Sequence, residues 1–91
     1  MFQQPKIILN ENFNYFINLV KRIYSGENEE KIMHDAFDEL SEDLYFVIQE
    51  LISDFNMFEF FEEKNFINHA LTRSQINFVK EFVEDIILWI N

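Results

Sequence analysis

Two histidines, four serines and several adjacent carboxylate pairs are the side chains in this chain with chemical potential. His34 and His69 lie 35 residues apart, without the His-x-x-x-His or Glu-x-x-His partners that a metal site uses. Glu30 and His34 stand at i, i+4, but no further bundle ligand accompanies them. The pairs Asp38-Glu39, Glu42-Asp43, Glu62-Glu63 and Glu84-Asp85 would need one carboxyl in an apolar pocket to act as acid and base. They sit instead in runs that read as solvated. Ser25, Ser41, Ser53 and Ser74 each have a turn or capping explanation. With no cysteine, thiolate chemistry and disulfides are excluded. The reading is a protein that is not an enzyme, with no cofactor and no metal.

The elements that carry these residues are helical. One glycine and one proline in 91 residues leave almost nothing for the turns of a sandwich or barrel. Phe13, Phe16, Ile17, Val20, Ile23 and Tyr24 recur at steps of three and four, which predicts a helix from about Glu11 to Ser25 with Gly26 beyond its end. Asn28 caps a second helix whose expected apolar face is Ile32, Met33, Ala36, Phe37 and Leu40. Ser41 reads as a fresh cap, and the series Leu44, Val47, Ile48, Leu51, Ile52 and Phe55 follows it. A break near Ser41 is preferred to one long helix over 29–56. Residues 56–71 are the least regular, with a short helical turn over Asn65 to Leu71. Thr72-Arg73-Ser74-Gln75 matches a capping box and opens a last helix, apolar enough to be central. The expected fold is a single all-α domain over residues 1–91, a compact four-helix bundle, or five helices with a short one near 65–71.

Charge is the remaining signal. Residues 27–63 hold thirteen acids and one base, Lys31, for a net −12 in a chain of net −10. Self-repulsion of this kind disfavours compaction, and ordinary wet faces mix their signs. Phosphate would be repelled, so direct nucleic-acid binding is not expected. No apolar stretch approaches the roughly 20 residues of a membrane span, so no membrane association is expected. The charge calls for a basic protein partner. Asp35, Asp38, Glu39 and Glu42 follow i, i+3, i+4, i+7 as one expected stripe. With Asp43, Glu59, Glu62 and Glu63 they form the candidate binding surface. Phe58 and Phe61 are the candidate apolar anchors, the other reading being that they fill the core beneath an irregular loop, and Tyr45 could add a hydroxyl contact.

The order of features resembles the small immunity proteins that bacteria make against their own nuclease toxins, most of all the colicin D type. A first helix ends in Ser25-Gly26-Glu27, and a second carries Phe37 and Leu40. The run from Leu44 to Phe55, an acidic aromatic connection and a closing helix near Thr72 follow. The Tyr-Tyr-Pro signature of the colicin DNase immunity proteins is absent. The resemblance implies a cytoplasmic inhibitor, monomeric when free, of a cognate toxin nuclease domain, an RNase ahead of a DNase, from a bacteriocin or contact-dependent system. Two other readings stand beside it: a phage-encoded DNA mimic that disarms a host nuclease or DNA-binding protein, and a non-catalytic subunit of a larger assembly.

Overall fold

The computed structural model describes residues 5–64 and 70–90. Six helices follow in order: α1 Pro5–Glu11, α2 Phe13–Tyr24, α3 Glu29–Glu39, α4 Glu42–Asp54, α5 Met57–Lys64 and α6 Arg73–Trp89. No strand occurs among the described residues. The fold is all-helical, but it is not a strict four-helix bundle.

Two helices account for the difference. α1 begins at Pro5, where a fixed φ and a missing N–H cost a helix nothing. Its apolar signal, Ile7-Ile8-Leu9, is too short to stand out in the sequence, yet Ile8 and Leu9 are buried. The Asn12 side-chain amide donates to the Ile8 carbonyl at 2.9 Å, and the chain departs from helical dihedrals there before α2 starts. The second unforeseen helix is α5, in the segment expected to be irregular. The short helical turn expected over 65–71 falls mostly outside the described residues, and Ala70 and Leu71 are not helical.

The expected punctuation is present. Gly26 has φ 82°, and the Gly26 and Glu27 amides donate to the carbonyls of Ile23 and Arg22. That is a Schellman ending for α2. Asn28 accepts from the Lys31 amide at 3.1 Å, and Ser41 from the Leu44 amide at 3.3 Å. The break at Ser41 is therefore real, and α3 and α4 form a hairpin. Thr72 and Gln75 close a reciprocal capping box at 3.2 and 2.9 Å.

α2, not α6, is the central helix. It buries Phe16, Ile17, Leu19, Val20, Ile23 and Tyr24 and touches α1, α3, α5 and α6. The longer α6 buries Val79, Val83, Ile86 and Ile87 along one stripe only. Phe61 is fully buried, with its ring centroid 4.9 Å from Tyr24 and 5.2 Å from Phe82. It locks α5 onto the core. The expectation that Phe61 anchors a partner is thus corrected: α5 turns this ring inward, because Met57 and Phe61 share one face at i, i+4.

Candidate partner-binding surface

The expected carboxylate stripe is divided by the fold. Asp35 faces α2, where Arg22 donates to it through Nη2 at 2.8 Å. The same guanidinium binds Glu27 through Nε at 2.8 Å and Nη2 at 3.3 Å. These bonds, that to Glu27 first, hold the Arg22 pKa above its ordinary value against the opposing cost of burial. Glu39 also turns toward α2 and accepts from the Tyr15 hydroxyl at 3.1 Å. Burial, then this hydrogen bond and the charge of Glu39, push the Tyr15 hydroxyl up to about 12. Asp38 points outward and lies 3.3 Å from His34 Nδ1. Glu42 belongs to the next helix, beyond the Ser41 break. A single outward row of Asp35, Asp38, Glu39 and Glu42 therefore does not form, because Asp35 and Glu39 sit on the flank of α3 that meets α2.

The carboxylates of α4 are different. Glu42, Asp43 and Glu50 are exposed and make no ion pair or hydrogen bond among the described residues. Between them stands Phe46, 53% exposed, with Glu42 and Asp43 at i−4 and i−3 and Glu50 at i+4. Its ring meets Tyr45 at 5.8 Å, and Tyr45 meets Phe37 of α3 edge-on at 5.3 Å and 89°. Phe37 is itself 65% exposed. Three touching aromatic rings thus run across the α3–α4 hairpin, with the unpaired Glu42, Asp43 and Glu50 flanking the Phe46 end.

Phe37 was expected on the buried face of α3. Ile32 and Ala36 fill that face instead, and Phe37 falls on the flank toward α4. Phe46 is absent from the apolar series Leu44, Val47, Ile48, Leu51, Ile52 and Phe55. Its place between three acids was the sequence signal that marked it as an outward aromatic. Leaving a Phe in water forgoes roughly 1.5–3 kcal/mol of burial, so the exposed parts of Phe37 and Phe46 add little to the stability of the free fold.

The surface continues toward α5. One turn from Phe37 lies Met33, and one turn from Tyr45 lies Gln49. Both line a groove of about 360 Å³ with Glu29, Ile52, Ser53, Asn56, Met57, Phe58 and Glu59. Phe58 is half-buried there, while Glu59, Glu62 and Glu63 are exposed. The expected residues Tyr45, Phe58, Glu42, Asp43 and Glu59 therefore belong to the α3–α4–α5 surface, with Glu62 one turn farther along α5.

Other large apolar side chains are exposed on α6 and α1. Leu88 and Trp89 are 72% and 73% exposed, Ile7 is 46% exposed, and Trp89 meets the Phe55 ring at 5.7 Å. Among the described residues no cluster of three His, Cys, Asp or Glu side chains is placed to hold a metal, and no helix is long and apolar enough to cross a membrane. The chain matches no protein-family model, no curated protein and no solved structure.

Proposed function

We propose that this protein is an immunity-type inhibitor that binds a basic nuclease toxin through the α3–α4–α5 surface, acting in the cytoplasm and without catalysis of its own. The observation that carries the reading is the Phe37–Tyr45–Phe46 row, with Phe37 and Phe46 exposed at its ends and the unpaired carboxylates of α4 beside Phe46. Aromatic anchors surrounded by charge are the usual anatomy of a binding hot spot. The rim acids would draw a cationic cleft inward, with association rates toward about 10⁸ M⁻¹s⁻¹ at low salt. The rings would then be desolvated on contact and set the dissociation rate.

The DNA-mimic reading uses the same carboxylates but leaves the aromatic row without a task, because a phosphate backbone offers no such rings. The assembly reading draws support from a different observation, the exposed Leu88 and Trp89 on α6. Those residues lie outside the acidic region and would serve a salt-insensitive subunit contact.

Co-expression with the products of the adjacent open reading frames tests the proposal. A basic nuclease should co-purify, lose activity in the complex, and dissociate as salt rises. Phe37→Ser combined with Phe46→Ser should abolish recovery, and Glu42→Gln with Asp43→Asn should weaken its salt dependence. Recovery untouched by all four changes, or neighbouring products that are neither basic nor nucleases, overturns the reading.

A further inference from the structure

The groove between the start of α3, the end of α4 and the start of α5 has a composition that points to a particular occupant. Met57 is fully buried and Ile52 nearly so, while Met33 and Phe58 are half-buried, giving an apolar floor. Glu29 and Glu59 are exposed on its lining and make no ion pair or hydrogen bond among the described residues. Gln49, Ser53 and Asn56 supply neutral polar atoms. A volume of about 360 Å³ lies at the small end of ligand sites, which run roughly 300–1,000 Å³. A helix, about 10 Å across, is too large for it. One long side chain is not.

We propose that this groove receives a single arginine or lysine side chain of the protein partner, its stem on Met33, Ile52 and Phe58 and its charged head between Glu29 and Glu59. An apolar stem with a cationic tip is the one common side-chain type that uses both the floor and the rim. The Phe58 ring adds an attraction for the cation. An anion would meet two carboxylates, and a purely apolar group would strip their hydration without replacing it. The groove lies one helical turn, about 6 Å, from the aromatic row, since Met33 and Phe37 are four residues apart on α3. A partner seated on Phe37 and Phe46 therefore reaches it without rearrangement. The inference rests on the reading of the partner as basic.

The test needs no toxin. ¹⁵N-labelled protein is titrated with N-acetyl-arginine N-methylamide, its lysine counterpart, and the uncharged norleucine counterpart, at constant ionic strength. Saturable amide shifts are expected at residues 29, 33, 52–53 and 56–59 with either cationic probe. The Glu29→Gln/Glu59→Gln variant, checked for unchanged spectral dispersion, should bind at least about tenfold more weakly. Equal binding of the norleucine probe, saturable shifts that survive in the variant, or shifts spread over every acidic helix would each overturn the proposal. Loss of this result with toxin co-purification intact removes only the groove. Groove binding without any basic partner would instead sink the functional reading.

Discussion

The Tyr15 hydroxyl of α2 donates to the carboxylate of Glu39, the last residue of α3, at 3.1 Å. Together with the Arg22–Asp35 bond at 2.8 Å it ties the inner flank of α3 to the central helix. Carboxylates that look equivalent in sequence therefore divide into those that hold the fold and those left facing solvent. This division can be tested residue by residue.

The Tyr15 contact makes stability depend on pH in the alkaline range. Its hydroxyl is raised from an ordinary value of 10.0 to about 12 by burial, and further by the bond to Glu39. The proton is held more tightly in the folded state, so the contribution is complete below pH about 10 and disappears between about 10 and 12. Urea midpoints measured across that range should fall more steeply for the natural protein than for Tyr15→Phe. Parallel curves would remove the assignment.

Asp35→Asn and Asp38→Asn should behave differently. The first weakens an ion pair whose side chains are about two-thirds covered and that Arg22 shares with Glu27. A loss of about 1 kcal/mol is expected, the upper range for paired surface charges. Asp38 is exposed, and its replacement should change stability by less than about 0.5 kcal/mol. Chemical denaturation of both variants decides the order.

Phe46 and Phe61 provide the sharpest contrast. Phe61→Ala empties a fully buried site and should cost about 3–5 kcal/mol, enough to threaten folding of a small domain. Phe46→Ser should leave the thermal midpoint nearly unchanged. In the captured complex, however, it should raise Kd at least about 30-fold, the equivalent of about 2 kcal/mol for a hot-spot aromatic. Calorimetry on the free protein and titration of the complex separate the two roles.

Asn56, at φ 47°, is the left-handed residue that ends α4 and launches α5. Asn56→Gly should be neutral to within a few tenths of a kcal/mol. Asn56→Ala should cost about 1 kcal/mol, since a Cβ without a compensating polar group is disfavoured there. Thermal melts of the two variants check the ranking, and a comparable loss in both would show that the Asn side chain contributes a contact of its own.

Much of this architecture is written in local chemistry. Scarcity of glycine and proline excluded sheets, and Gly26, Asn28, Ser41 and Thr72 each marked a boundary that the fold respects, because capping depends on atoms within a few residues. The acidic middle was equally plain from composition. The three-dimensional packing decided what periodicity could not resolve. It set α2 at the centre in place of α6, made helices of Pro5–Glu11 and Met57–Lys64, and turned Phe61 inward. It also drew Asp35 and Glu39 against α2 while leaving Phe37 and Phe46 in water. A helix defines its own faces by residue spacing, but only its neighbours determine which flank is covered. That assignment rests on contacts between residues far apart in the chain, such as Tyr15 with Glu39 and Tyr24 with Phe61.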